Sequence, residues 1–268
     1  MIHDLHSHTY YSFCGKDDFP ELCEGVIQSG IEVFGISDHN YGITRSGDLG
    51  ALREYFDRLT AVRDEYAGRL RILRGLELNT NSDATLPYDT DLSYFDYVFI
   101  ENCESEQSVV NEHGGIVEFA RHVGTKCGIP HMDLFGYIER TGKDAERFVR
   151  SLADAGIFWE LNVNCDSIHS YREHEYVKRF MKSESEQDIV RRAGLELSVG
   201  FDGHRIAEYK GERVKEACEF IKNAGLREVR LLDFAIHRSL REVFYPCPLK
   251  GEYKNRQIFT SVGFSILY

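Results

Sequence analysis

Ile2-His3-Asp4-Leu5-His6-Ser7-His8-Thr9 is the stretch on which the fold turns. Residues 2–5 have the short apolar character of a buried strand. An open doubly wound sheet often carries a glycine-rich phosphate loop after its first strand. Here that turn reads His6-Ser7-His8-Thr9 instead. Residues i and i+2 on an extended segment point the same way, so His6 and His8 can grip one ion. Working outward, the same unit recurs. Apolar runs at 32–36, 71–76, 97–100, 127–130, 158–161 and 196–200 have strand length and composition. Amphipathic stretches at 20–29, 49–67, 116–123, 144–155, 175–193 and 213–224 separate them with helical spacing. Four of these stop at Gly124, Gly156, Gly194 and Gly225, each a left-handed cap in this reading. Strand–helix alternation from end to end means a parallel sheet with crossover helices. The expectation is an α/β fold, a distorted TIM-like barrel of seven β/α units, with the open doubly wound sheet as alternative.

Side chains that bind metals fall at one end of every expected strand. His6 and His8 follow the first, Asp38 and His39 the second, and Glu77 the third. Cys103 comes after the fourth, His131 and Asp133 after the fifth. Glu160 and Asn162 end the sixth, and Asp202 and His204 follow the seventh. In a barrel those ends converge on one face, where catalysis is built. A lone HxH or DxH pair is weak evidence, and His113, His122, His169 and His174 are read as ordinary surface or core histidines. His3 is read as a residue of the barrel interior or bottom. The joint placement carries the argument. Imidazole, carboxylate and thiolate together suit zinc, iron or manganese better than calcium or magnesium.

Composition bounds the classes. Apolar residues make up 42% and charged residues 28%, the balance of a soluble globular chain and not of a disordered one. A net charge of −12 argues against nonspecific nucleic-acid or anionic-membrane binding. No run is apolar and long enough for a membrane span, and the N-terminus does not read as a signal peptide. Seven cysteines without regular spacing read as free thiols of a cytoplasmic protein. No linker or internal repeat divides residues 1–268, so one domain is expected. Residues 221–268 are expected to pack on the barrel.

Asp4-Leu5-His6-Ser7-His8-Thr9, Ile36-Ser37-Asp38-His39, Gly75-Leu76-Glu77, Ile129-Pro130-His131 and Gly200-Phe201-Asp202-Gly203-His204 resemble, in order, the motifs of the polymerase and histidinol phosphatase (PHP) family. The resemblance runs from residue 4 to about residue 220 and is closest to the stand-alone phosphatases. It implies a distorted barrel of seven β/α units and up to three divalent ions (Zn, Fe or Mn). It implies that His6, His8, Glu77 and Asp202 hold the first ion. Glu77 then bridges to a second, shared with His131 and the residue after the fourth strand. His39 and His204 hold a third with a ligand from the loop after His8. The two remaining positions, usually histidine, fall by count on Cys14 and Cys103. A thiolate is a competent zinc or iron ligand. Packing as small apolar residues is the alternative, with Glu101 or Glu104 then taking the fourth-strand role.

The expected reaction is hydrolysis of a phosphomonoester, histidinol-phosphatase-like, by a water activated as hydroxide. The partner is a small phosphorylated metabolite. Glu77 and Asp202 serve the reacting centre, and Asp38 orients His39 or a neighbouring ligand. Arg172, Arg205, Lys16 and His237 are the candidates to hold the phosphate or its leaving group. The alternatives are a phosphodiesterase or other hydrolase on the same scaffold, and a metal-binding domain without turnover. An interaction protein using the aromatic tail at 259–268 is a third. The substrate, the metals and the oligomeric state are open at this level.

Overall fold

Parallel pairing joins each strand to the next along the chain. In the computed structural model, residues 1–45, 47–81 and 86–230 are described. The strands are β1 (His3–Asp4), β2 (Val33–Ile36), β3 (Arg71–Asn79), β4 (Tyr97–Glu101), β5 (Cys127–Ile129), β6 (Phe158–Asn162), β7 (Glu196–Gly200) and β8 (Arg227–Glu228). Their order in the sheet is their order in the chain. The sheet curls into a distorted half-barrel, and its two sides meet: the Leu5 amide donates to Val199 O at 2.9 Å, and Ser7 bridges Gly203 in parallel. Seven strands lie where the apolar runs placed them. The eighth, only two residues long, was not expected from the sequence. It carries no apolar run, so period and burial gave it no signal.

Helices cover the sheet. Phe19–Gln28 opens on a reciprocal capping box between Asp18 and Glu21. Gly50–Glu65 buries Leu52, Tyr55, Phe56, Leu59 and Val62, the residues of its apolar stripe. Gly124, Gly156, Gly194 and Gly225 all have positive φ, as their cap positions require. The stretch 175–193, expected as one helix, is two: Glu175–Phe180 and Glu184–Ala193. Ser183 caps the second by accepting from the Glu186 amide, which breaks the first. The short helix Leu134–Thr141 starts at Asp133, whose side chain accepts from the Gly136 amide at 2.8 Å.

Side chains alternating inward from the strands close the barrel. Tyr97, Phe99 and Phe158 pack edge to face or tilted, with ring centroids 5.2–6.2 Å apart. Phe99 then stacks on His6 at 4.8 Å, so an aromatic plug forms the floor under the first histidine. Met1–Val229 form one compact unit. The expected packing of 221–268 on the barrel falls, from residue 231 onward, outside the described residues, and so does His237. No helix among the described residues is long and apolar enough to cross a membrane.

Candidate metal centre

The carboxyl ends of the strands point at one spot, and Glu77 stands at its middle. Its side chain is wholly buried at the upper part of β3. Glu77 Oε1 lies 3.2 Å from His6 Nε2 and 3.1 Å from His131 Nε2. Its Oε2 lies 2.9 Å from His39 Nδ1 and 3.4 Å from His8 Nε2. Asp202 Oδ1 lies 3.0 Å from His8 Nε2 and 3.6 Å from His6 Nε2. Residues from β1, β2, β3, β5 and β7 thus meet within a few ångströms.

Neighbours fix which nitrogen of each ring faces the centre. His6 Nδ1 donates to Glu160 Oε1 at 2.9 Å. His204 Nδ1 donates to Asp166 Oδ2 at 2.9 Å. His8 Nδ1 sits 3.1 Å from Ser12 Oγ, which itself donates to Asp38 Oδ1 at 2.7 Å. These three rings therefore turn Nε2 inward, the orientation that hydrogen-bonding partners on the other nitrogen impose on metal-binding histidines, whereas His39 presents Nδ1. Asp38, expected to orient His39 or a neighbouring ligand, reaches both His8 and His39 through Ser12, whose Oγ also accepts from the His39 amide at 2.8 Å. Gly200 makes room for the His6–Glu160 pair, since a Cβ there would collide with Glu160 Oε1. His131 and Asp202 both hold positive φ, at 32° and 53°. Such strain in bulky residues persists where surrounding contacts over-determine it, commonly at functional sites.

A cation fits this cluster. His6 Nε2, His39 Nδ1, Glu77 Oε2 and Glu101 Oε2 are buried without a hydrogen-bond partner. Each such atom costs about 1–3 kcal/mol unless something satisfies it. Mixed imidazole and carboxylate donors are the set that divalent transition metals prefer. Groups of His6, His8 and Glu77, and of His6, His131 and Asp202, each bring three donor atoms within 4.8 Å of one another.

Electrostatics follow from the crowding. Burial pushes Glu101 up to about 7, and the Glu77 charge adds to it. Burial opposes charge on His131 and His204, but Glu77 holds His131 at about 9, and Asp166 with Cys14 holds His204 at about 10. Burial raises Glu77, yet His39 and His6 overcome it and hold the carboxyl well below its usual range. In the metal-free protein the signs are opposite for the two kinds of group. Raised histidines stabilise fully below about pH 6.5, and that stability is lost as pH climbs through about 9–10. The lowered Glu77 and Asp202 stabilise above the ordinary carboxylate range and lose that as pH falls below it. Urea midpoints of the metal-stripped chain should therefore peak between about pH 5 and 8 and decline on both sides. A midpoint that keeps rising past pH 10 contradicts this charge assignment.

Residues 4–222 match the PHP domain family. The chain belongs to the PHP family. Among curated relatives it is 25% identical to the DNA polymerase/3'-5' exonuclease PolX of Bacillus subtilis over 216 residues, 76% of this chain and 34% of that one. The chain thus spans about a third of that relative's length. It is 23% identical to a probable histidinol-phosphatase of Deinococcus radiodurans, covering 83% of this chain and 94% of the relative. Among solved structures it resembles the histidinol phosphate phosphatase HISK of Lactococcus lactis, complexed with zinc, L-histidinol and phosphate. The TM-score is 0.59 at 17% identity, over 85% of this chain and 95% of that one.

The cluster of buried His, Glu and Asp donors is consistent with a PHP metal site. Cys14 lies in it: its Sγ groups with His8 and His204 within 4.8 Å. Burial opposes ionisation of Cys14, but hydrogen bonds with His204 and His39 bring it down to about 6. Cys103 does not lie in it, which corrects that expectation. Its thiol sits in the apolar core, 3.8 Å from Met132 Sδ, and burial pushes its pKa well up. The fourth strand instead offers Glu101, whose Oε2 is 3.6 Å from His39 Nδ1. Strand β4 ends at Glu101, so the count that reached Cys103 overshot by two residues. Asp133 is a helix cap paired with Arg179 at 2.6 Å. His169, read as an ordinary histidine, sits at the rim with Nε2 3.8 Å from Asp202 Oδ2 and Nδ1 on Asp166. Asp166 was missed because nothing in a loop sequence marks which carboxylate turns back to a histidine. Lys16, Arg172 and Arg205 are exposed on loops flanking the ligands. His3 accepts the Val199 amide inside the barrel, and His113 and His122 pack on Tyr88.

Proposed function

We propose that the protein is a phosphomonoesterase whose leaving alcohol carries a planar ring, with histidinol phosphate as the leading substrate. One observation carries the reading: His6, His8, His39 and His131 converge from three strand ends onto the buried Glu77, and His6 Nε2, His39 Nδ1, Glu77 Oε2 and Glu101 Oε2 are left there without a hydrogen bond. His6, His8, Glu77 and Asp202 would hold one ion, Glu77 with His131 and Glu101 a second, and His39 with His204 a third. Bound divalent ions supply an acidified water and offset charge on the phosphoryl oxygens. Glu160, Asp166 and the Ser12–Asp38 pair keep the imidazoles aimed, so little reorganisation is needed when the phosphate arrives. Lys16, Arg172 and Arg205 are proposed to meet the phosphate or the leaving group.

The ring preference has its own support. Tyr41 stacks on His39 at 4.7 Å with planes 21° apart. Phe13, 62% exposed, lies beyond it at 6.5 Å. The Arg45 guanidinium stands 5.8 Å from the Phe13 ring. This aromatic wall borders the ligands and is open to solvent. Stacking is worth about 0.5–1.5 kcal/mol, so Phe13→Ala should raise KM for histidinol phosphate roughly 2–10-fold. KM for glycerol phosphate should stay unchanged, and equal shifts for both esters refute a stacking role. The broader test assays p-nitrophenyl phosphate, histidinol phosphate and a phosphodiester with added Zn²⁺, Mn²⁺ or Fe²⁺. Full activity in His6→Ala and Asp202→Ala, or turnover of the diester alone, overturns the reading.

A further inference from the structure

The sulfur of Cys14 makes one side of the centre chemically unlike the other. Its donor group is two imidazoles and a thiol, from His8, His204 and Cys14. The ring of His39 stacks on His8 at 4.5 Å, and that of His204 at 4.9 Å. His39 is only 8% exposed, and its Nδ1 has no hydrogen-bond partner. Two observations thus point to a ligand here: the grouped donors of His8, His204 and Cys14, and the buried His39 ring stacked beside them, whose Nδ1 makes no hydrogen bond although it stands 2.9 Å from Glu77 Oε2. On the other side the donors are nitrogen and oxygen alone, from His6, Glu77, His131 and Asp202. Cys14 also differs from the chain's packed cysteines. Cys23, Cys103 and Cys127 are buried in the apolar core, whereas Cys14 is only partly buried beside imidazoles. Space filling explains the former and not the latter.

We propose that the centre is asymmetric: Cys14, with His39 and His204, binds a thiophilic ion, Zn(II) or Fe(II), while the carboxylate-rich side, to which His8 turns its Nε2, accepts Mn(II) as well. Soft thiolate donors favour zinc and iron over manganese and magnesium, and carboxylates make the reverse choice. The backbone already holds the loop for this. The Lys16 amide donates to His204 O at 3.0 Å, and the Gly15 amide to Ser12 O at 3.1 Å. Thr9 and Ser12 are tied to Asp38, so Cys14 sits between two fixed points. The inference rests on the mouth being a metal centre and is independent of which ester is cleaved.

Cobalt(II) reports sulfur ligation directly, by a near-ultraviolet thiolate-to-metal charge-transfer band. The purified full chain, loaded with Co(II), should show that band. Cys14→Ser should lose it, and Cys103→Ser should keep it. In the zinc-loaded chain, X-ray absorption should find a sulfur neighbour at about 2.3 Å. Cys14→His supplies an imidazole in place of sulfur. It should keep the ion count and the circular dichroism, lose the band, and tolerate manganese in competition with zinc better than the parent. A cobalt-loaded chain without the band, a band that survives in Cys14→His, or failure to bind cobalt overturns the proposal. Hydrolysis is scored separately. A band without phosphatase activity leaves the asymmetric centre standing and defeats the proposed function. Activity without the band does the opposite.

Discussion

Glu77→Gln is expected to lower phosphomonoester turnover by about 10²–10³-fold or more, the loss typical of removing one electrostatic stabiliser from an active site. Four imidazoles, His6, His8, His39 and His131, lie within 3.4 Å of its two oxygens. Glutamine keeps the shape and removes the charge. It also puts an amide NH₂ where a second acceptor faced the cluster. Bound metal, measured per chain after dialysis, should fall together with the rate. Fold should persist, because the aromatic plug beneath, Tyr97, Phe99 and Phe158, does not depend on the carboxylate. Wild-type turnover at wild-type metal content would mean that Glu77 is merely a buried counterion for histidines.

Asp96→Ala should cost about 3–5 kcal/mol of stability, the usual penalty for leaving a buried charge unpaired. Asp96 and Arg74 are 9% and 7% exposed and pair in a two-pronged fork, at 2.8 and 2.9 Å. The Arg74 amide also donates to Asp96 Oδ2 at 2.8 Å, which ties the start of β4 to β3. The guanidinium lies 4.3 Å from the Phe56 ring, so it cannot swing to water without leaving that contact. Urea denaturation measures the loss. The double variant Asp96→Leu with Arg74→Met should recover most of it, since apolar pairs of similar volume often replace buried ion pairs at little cost. A single-variant loss below about 1 kcal/mol would place the pair with surface ion pairs.

The candidate site was legible where its residues follow a strand directly. His6, His8, His39, Glu77, His131, Asp202 and His204 each sit within a few residues of an apolar run, so a parallel fold had to bring them to one face. Cys14 was reached by counting along a short loop whose ends are fixed, and it lies with the ligands. Cys103 was reached by the same counting and lies in the core, two residues past the end of β4. His169 and Asp166 lie in a loop of irregular backbone, where Ser170 and Tyr171 hold positive φ. No period of two or of 3.6 governs such a path, so the direction of its side chains is not written locally.

Alternation of apolar strands with amphipathic helices determined the parallel α/β fold, and ligand-type residues after the strands determined which end carries the chemistry. Both follow from local rules: side-chain period, caps, and the handed crossover that parallel strands demand. Only the tertiary structure decided which nitrogen each histidine turns inward, that Glu101 and not Cys103 faces the ligands, and that Gly200 leaves space for Glu160. Those outcomes depend on contacts between residues far apart in the chain, such as His6 and Glu160. Their geometry is set by how whole elements pack, which no short stretch of sequence encodes.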